Sequence, residues 1–316
     1  MFLRLLLLFQ LLLSPSFCHS QKLTLVELNC ENFFDTRHDS LKQDTDFLPD
    51  GPRRWLPWRY WRKVNSIAQE ILACADVLPD IVALTEVEND SVMRDLCRRS
   101  LLRNANYRYL MTESDDVRGI DVALLYHPVA FRPICYETIT IAPPKKDMRP
   151  TRDILYVKGE TLSGILHVFV VHAPSRYGGE MESRPYRMAV AHRLAEAISA
   201  LGEANIVVAG DFNDYTDSPS LQFLNSIGLH NLTAGKRGAN GSKGTYRYKG
   251  EWRSLDHVLA SPQLAERLDT AYIFDASFLL EDEPKYGGKR PSRTYYGYKY
   301  TGGSSDHLPL VVRFRN

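Results

Sequence analysis

The sequence predicts a mixed α/β fold of the α+β kind, with mainly antiparallel strands and helices on the outer faces. Three observations carry that reading. Short runs rich in Val, Ile and Leu recur at strand length, as buried strands require. Longer segments with helical spacing fall between only some of these runs. Elsewhere strand follows strand directly, so the strict alternation of a doubly wound parallel sheet is missing.

Taken in order, the first strand is Leu23–Leu28. A helix is expected over Trp58–Val77, then a strand at Ile81–Leu84. Ser91–Leu102 reads as a second helix with Asn89 or Asp90 as N-cap, because a short polar side chain there accepts a free first-turn N–H. Ile120–Tyr126, about 131–141, Ile154–Val157 and Ile165–Val171 follow as successive strands. The clearest helix spans Arg184–Leu201. Pro185 suits its first turn, where a missing N–H costs nothing, and Met188, Ala191, Leu194, Ala195, Ile198 and Leu201 form an apolar stripe. Strands at Ile206–Ala209, Leu255–Leu259 and Leu308–Phe314 complete the set. Two stretches read as long loops, 36–54 and 281–305, the second rich in Gly, Tyr, Lys and Arg.

The 316 residues are 44% hydrophobic, enough for one large core, and no internal repeat or low-complexity block divides them. The 39 basic and 38 acidic residues leave a net charge of +1, which excludes a strong overall field for nucleic acid but not a local basic groove. Arg4, the apolar run Leu5–Leu13 broken only by Gln10, and small residues around Cys18 and Ser20 describe a secretory signal peptide over residues 1–20. The run is too short to span a bilayer, which takes roughly 20 apolar residues. Pro15-Ser16-Phe17 is a poor approach to lipoprotein cleavage at Cys18. An exported, periplasmic or secreted chain is therefore expected, with one catalytic domain over residues 21–316, no stable membrane insertion, and a monomeric state. Export permits disulfides, and Cys30, Cys74, Cys97 and Cys135 read equally as buried thiols or as containing one bridge. Their spacing matches no zinc pattern.

The chemistry lies in how the apolar runs end. Asn29 closes Leu25-Val-Glu-Leu, Glu86 follows Ile81-Val-Ala-Leu-Thr, and His172 follows Val168-Phe-Val-Val. Asp211 and Asn213 follow Ile206-Val-Val-Ala-Gly; Asp256 and His257 precede Val258; Asp306 and His307 precede Leu308. One Asp or Asn after a strand is ordinarily a turn former, and one His is ordinarily structural. Six such ends together suggest strands delivering ligands to one rim.

The order resembles the endonuclease/exonuclease/phosphatase superfamily. It is carried by Asn29, Thr85-Glu-Val-Glu-Asn89, Arg118-Gly-Ile-Asp-Val-Ala123, Val171-His-Ala-Pro-Ser175, Gly210-Asp-Phe-Asn213, Leu255-Asp-His-Val258 and Ser305-Asp-His307. Pro291–Pro309 resembles a bacterial branch of the superfamily. The resemblance implies a four-layer sandwich of two packed, mainly antiparallel sheets flanked by helices, with the active site on the rim where strand ends converge. It also implies a metal-dependent phosphoesterase. Glu86, Asn29 and Asp306 would supply oxygen ligands, which favour Mg²⁺ or Mn²⁺ over zinc. By the same resemblance Asp211 orients or deprotonates the attacking water, Asn213 fixes the phosphate or Asp211, and His307 faces the phosphate with Asp256 as its carboxylate partner. His172 resembles the second histidine of deoxyribonuclease-type members, with Glu113 as its expected partner. Arg152 resembles a phosphate-contacting arginine. Asp121 belongs to the pattern without a role.

Substrate clues lie in two segments. Arg53, Arg54, Arg59, Arg62 and Lys63 interleave with Trp55, Trp58 and Trp61, a composition suited to backbone charge and base stacking, though the tryptophans also fit a helix packed on the core. The loop holding Lys285, Lys289, Arg290, Arg293, Tyr295, Tyr296, Tyr298 and Tyr300 leads into Ser305-Asp306-His307 and should border the site. The leading expectation is an exported nuclease acting on DNA or RNA. A phosphatase or phospholipase-type esterase acting on a small phosphoester is the alternative, and neutral net charge favours it. Retention of every motif residue counts against a non-catalytic binding protein.

Overall fold

The computed structural model describes residues 22–144 and 149–316; the leader expected over residues 1–20 lies outside them. In chain order the elements are β1 (Leu23–Phe33), α1 (Pro57–Ala73), β2 (Ile81–Val87), α2 (Asp90–Arg99), β3 (Arg108–Met111), β4 (Asp121–Tyr126), β5 (Arg132–Ile139), β6 (Ile154–Thr161) and β7 (Gly164–His172). They continue with α3 (Glu180–Ser199), β8 (Ile206–Asp211), α4 (Pro219–Ser226), β9 (His230–Asn231), β10 (Tyr246–Tyr248), β11 (Glu251–Arg253), β12 (Asp256–Ala260), α5 (Pro262–Ala265) and β13 (Leu268–Ile273). Last come β14 (Leu280–Asp282), β15 (Lys289–Pro291), β16 (Tyr295–Tyr296), β17 (Lys299–Tyr300) and β18 (Leu310–Phe314).

Two six-stranded sheets form, in the orders β13-β18-β1-β2-β4-β3 and β5-β6-β7-β8-β12-β9. Each holds one parallel pair, β1 with β2 and β7 with β8, and every other neighbour is antiparallel. The two parallel pairs are those joined by α1 and α3, because a parallel return needs a crossover long enough to hold a helix. Apolar side chains from both inner faces, among them Leu25, Ala83, Leu124, Val168, Val207 and Val312, meet between the sheets. A second apolar layer lies under α1 and α2, and a third under α3 and α4. This is the four-layer sandwich expected, with helices outside.

That topology creates the rim. Both parallel pairs end at the same edge, and the antiparallel strands β12 and β18 begin there. Cα pairing brings His172 opposite Asp211 and Asp211 opposite Asp256 in one sheet, and Asn29 opposite Thr85 in the other.

Several boundaries differ from expectation. α1 stops at Ala73, short of Val77. α2 is capped by Asn89, whose side chain accepts from Val92 N, and ends at Arg99. α3 begins at Glu180, so Pro185 sits inside the helix and not in its first turn. Charge explains the added turn: Glu180 takes ion pairs from Arg176, Arg184 and Arg187. Its buried face is Ser183, Arg187, Val190, Ala191 and Leu194, rotated from the expected stripe because Arg187 is drawn inward to Asp214 at 2.8 Å. Segment 281–305 is not a bare loop but carries the small hairpins β14–β15 and β16–β17. Cys30, Cys74 and Cys97 are buried free thiols and Cys135 is exposed and free, so no bridge forms among them. Among the described residues no helix is long and apolar enough to cross a membrane.

Gly210 is where backbone geometry is least negotiable. Its φ is +151°, and a Cβ there would lie 1.8 Å from the carbonyl oxygen of Val171 on the neighbouring strand. Neither β7 nor β8 can retreat, since both are packed on two faces. Gly210→Ala is therefore expected to destabilise the fold by about 3 kcal/mol or more, the range for overpacking combined with backbone strain. Urea denaturation measures it, and an unchanged midpoint would refute the reading.

Candidate active site

The cleft at the rim has a volume of about 520 Å³ and is lined by Glu86, His172, Asp211, Asn213, Asp306 and His307 among others. Each arrives from a strand end. Four residues beside it, Glu31, Asn32, Glu86 and Asn213, hold φ between +46° and +60°. That conformation costs a non-glycine residue about 1 kcal/mol or more, and such strain gathers where side chains must be aimed.

Asp211 is the most constrained carboxylate. Its Oδ1 accepts from Asn213 N at 2.7 Å, and its Oδ2 accepts from Asn29 Nδ2 at 3.0 Å and Asn213 Nδ2 at 3.1 Å. Asn213 Nδ2 also donates to Ala173 O, which fixes the amide. Burial, then the Asp256 charge, push Asp211 up to about 7 against these donors. Asn29 departs from the expected arrangement. Its Oδ1 accepts from Glu31 N at 2.8 Å, and it turns its nitrogen toward Asp211 and toward Glu86, 3.5 Å away. It is placed to orient carboxylates by donating, not to offer an oxygen ligand.

Glu86 follows the register shift of β2, and its Oε2 accepts from Asn32 N at 2.7 Å. Its Oε1 has only long contacts: Arg118 at 3.8 Å and His172 Nε2 at 3.8 Å, besides Asn29. Asp306 pairs with Arg293 at 2.8 Å.

His307 Nδ1 lies 2.8 and 3.0 Å from the two Asp256 oxygens, while Thr245 Oγ1 donates to Asp256 Oδ2. The expected pair is thus in place, and Nε2 is left for the cleft. Burial alone would depress His307, but the Asp256 charge and hydrogen bond, with Asp211, outweigh it and hold the imidazole well above its ordinary value. Ser305 Oγ accepts from His307 N at 3.0 Å and donates to Asn29 O at 2.6 Å, so the Ser-Asp-His turn is pinned directly to β1. Asp211, Asp256 and His307 present atoms within 4.8 Å of one another. Because both Asp256 oxygens are committed to donors, that cluster is a hydrogen-bonded dyad beside a carboxylate more than a metal cage. The ring of Tyr246, 5.0 Å from that of His307, closes the other side.

His172 is buried, with Nε2 3.7 Å from Asp211 Oδ2. Burial, then Arg152 and Arg118, hold it well below the ordinary histidine value, so it is neutral. The pairing expected with Glu113 does not form: Glu113 is exposed, and the nearest carboxylates to His172 are Glu86 and Asp211. Arg152 is also buried, and its terminal nitrogens are committed to Asp116 at 3.1 Å and Ala173 O at 2.8 Å. It braces the cleft wall. The exposed cation that reaches the cleft is Arg118, whose only hint in the sequence is its place beside Asp121.

Asp121 gains a role. Its Oδ1 accepts from Thr112 Oγ1 at 2.6 Å and Ser114 N at 3.0 Å, and Lys42 Nζ donates to Ser114 O and Asp116 O. These bonds set the turn that carries Asp116 and Arg118. The tyrosine-rich segment is turned inward as well. Arg59 stacks on Tyr300 at 4.4 Å and Trp58 at 5.2 Å, and Arg53 on Tyr295 and Tyr298. Buried Lys63 donates to Glu31 O, Thr294 Oγ1 and Ser304 O. The aromatic and basic residues that suggest a stacking surface for bases are therefore largely engaged in holding segment 281–305 against α1. Asp121→Ala is expected to speed amide exchange at residues 112–118 by at least about tenfold, equivalent to ~1.4 kcal/mol of local stability. Unchanged protection by hydrogen-exchange mass spectrometry would refute the pinning.

Comparison with known proteins agrees with this geometry. Residues 24–316 match the Endonuclease/Exonuclease/phosphatase family. No curated protein matches the chain in sequence. Among solved structures, an endonuclease/exonuclease/phosphatase family protein from Bacteroides thetaiotaomicron superposes with a TM-score of 0.61 at 15% identity, covering 92% of this chain and 97% of that one. The mannosyl-6-phosphatase Bt3783 of Bacteroides thetaiotaomicron VPI-5482 gives 0.57 at 16% identity over 92% and 98%. D. rerio TDP2 complexed with single strand DNA product gives 0.57 at 15% identity over 94% and 100%. At these identities the likeness is one of fold. With the match over almost the whole described sequence, and the strand-end constellation assembled at one rim, the chain belongs to the endonuclease/exonuclease/phosphatase family.

Proposed function

We propose that the chain is a divalent-metal-dependent phosphoesterase, and that its substrate is the phosphodiester backbone of DNA or RNA met outside the cytoplasm. The observation that supports it best is one cleft in which an imidazole raised by Asp256 faces the carboxylates of Asp211 and Glu86. Phosphoester hydrolysis asks for that pairing: a cationic donor for the phosphoryl oxygens, and an oriented carboxylate for water.

The residues fit a hard cation. Glu86 Oε1 lacks a close partner, and Asp306 lines the same cleft, so oxygen donors of the kind Mg²⁺ and Mn²⁺ prefer face it with no thiol among the lining residues. A divalent ion held by Glu86 and Asp306 would supply charge neutralisation for the phosphoryl group. The chain's own residues do the rest. Asp211, held on both oxygens by Asn29 and Asn213, orients the attacking water and accepts its proton. His307, oriented by Asp256, donates from Nε2 to a phosphoryl oxygen. Neutral His172 donates a hydrogen bond beside it, and Arg118 adds an exposed cation.

The structural neighbours include TDP2 complexed with single strand DNA product and a mannosyl-6-phosphatase. Arg118 and the cleft tyrosines Tyr177, Tyr215, Tyr246 and Tyr248 support a nucleic-acid strand. The neutral net charge favours the second reading, a small phosphoester. Export rests on the leader pattern of residues 1–20.

The test is incubation with supercoiled plasmid, single-stranded RNA and bis-p-nitrophenyl phosphate under Mg²⁺, Mn²⁺ or EDTA. Metal-dependent nicking is expected, and cleavage of the small diester alone would move the substrate to the second reading. His307→Ala and Asp211→Asn should each lower turnover at least about a hundredfold. Near-full activity in either variant would remove its assigned role. A strand-binding enzyme should also lose affinity steeply as salt rises, whereas a small-ester enzyme should not.

A further inference from the structure

Resting on the phosphoesterase reading, we propose that a second cavity beside the catalytic cleft binds another phosphate of the same substrate molecule. The cavity, about 640 Å³, is bounded by Arg118, Arg149, Thr151, Arg152, Glu182 and Tyr186 among others. Arg118, Arg152, Ser175 and Tyr177 line both hollows, so the cavity opens directly onto the cleft.

Its charge is positive where it meets the cleft. Asp116 is neutralised by Arg152 at 3.1 Å. Arg118 reaches no carboxylate closer than 3.8 Å, and among the described residues Arg149 has no ion-pair partner. Two exposed guanidinium groups therefore stand against one exposed carboxylate, Glu182. The wall also holds unmatched donors. Arg152 Nε and Thr151 Oγ1 are buried and have no hydrogen-bond partner, although both residues are more than nine-tenths buried. A buried donor without an acceptor is costly, so these two unmatched donors behind the wall add to the potential that favours an oxyanion seated on it. Guanidinium groups suit an oxyanion with several acceptors, and phosphate fits that description.

The positions are set by elements already required elsewhere. Asp121 and Lys42 fix the turn bearing Arg118, and the Arg152–Ala173 bond ties the cavity wall to the segment after β7. A substrate whose scissile phosphate sits between His307 and Asp211 then extends its next phosphate across Arg118 toward Arg149. Hydrolysis stays in the catalytic cleft; the second phosphate is bound and not transferred.

The experiment compares kcat/KM for thymidylyl-thymidine without a terminal phosphate, and with a 5′- or a 3′-phosphate. A second series compares propane-1,3-diol monophosphate with its bisphosphate. Bis-p-nitrophenyl phosphate, which has no second phosphate, is the baseline. The added phosphate is expected to raise kcat/KM at least about tenfold in one series, or ~1.4 kcal/mol. The series that responds identifies the source as a strand or a small bisphosphate. Arg149→Gln should abolish most of that preference while hydrolysis of bis-p-nitrophenyl phosphate stays within about twofold, and Arg149→Lys should restore part of it. Equal rates with and without the second phosphate, or a preference untouched by Arg149→Gln, overturn the proposal. If no substrate is cleaved, the phosphoesterase reading has failed instead. Binding of fluorescein-labelled 5′-phosphorylated dithymidylate to Asp211→Asn in EDTA then still reads the cavity: binding that Arg149→Gln weakens supports it, and binding indifferent to Arg149 overturns it.

Discussion

A buried hydrogen bond joins the two sheets at the rim, from Asn29 Nδ2 to Asp211 Oδ2 at 3.0 Å. Asn29 lies on β1 in one sheet and Asp211 closes β8 in the other, so the bond sets how far apart the sheets stand where the cleft forms. Everything around it is referred to this contact. Asn29 also receives the Ser305 hydroxyl through its carbonyl and the Glu31 amide through its side chain. Asp211 is gripped again by Asn213, and Asp256 pairs with it across the β8–β12 ladder. A hydrogen bond to a charged group contributes about 1.5–3 kcal/mol, but the larger consequence here is geometric. A shift in either sheet would turn Asp211 away from His307.

Much of this architecture is legible in the amino-acid sequence alone. The central strands stand out as continuous Val, Ile and Leu runs because both of their faces are buried, which leaves no polar alternation to misread. Their polar terminal residues are legible for the same reason: a carboxylate at the end of an apolar run has few places to go except a rim. Pairing between side chains distant along the chain is not legible in this way. Sequence points to Glu113 as the partner of His172, yet the histidine looks toward Glu86 and Asp211, and only the sheet register brings those together. Asn29 offers an oxygen and a nitrogen equally until the Glu31 amide chooses between them. The tyrosine and arginine segments resemble a surface for ligands because composition cannot distinguish a ring that stacks on a base from one that stacks on its own arginines.

The polar interior beneath segment 281–305 is a second cost of building the site. Lys63 is buried and held below its ordinary pKa by that burial, although Glu31, Glu70 and Asp306 oppose the shift. Glu31 is itself raised to about 7, by burial and then by Asp306, while accepting from Thr294 N and Arg293. Removing one partner from such a network leaves an uncompensated buried group, which is more damaging than the net worth of the pair. The segment is thus anchored by groups that tolerate no substitute easily, and it presents Asp306 and His307 on a fixed base.

The strand order has a consequence for the timing of assembly. β1, the first of the described strands, lies between β2 and β18, so its second neighbour is the last of them to be made. Asn29, Glu86, His172 and Asp211 have all emerged from a ribosome well before the residues from Ser305 to Phe314. Until those arrive, β1 keeps a bare edge, the Asn29 carbonyl lacks its serine donor, and the cleft lacks the His307–Asp256 pair. A growing or prematurely ended chain can carry Glu86, Arg118, His172 and Asp211 and still lack Asp306 and His307. The topology thus makes completion of the cleft wait on the last strand.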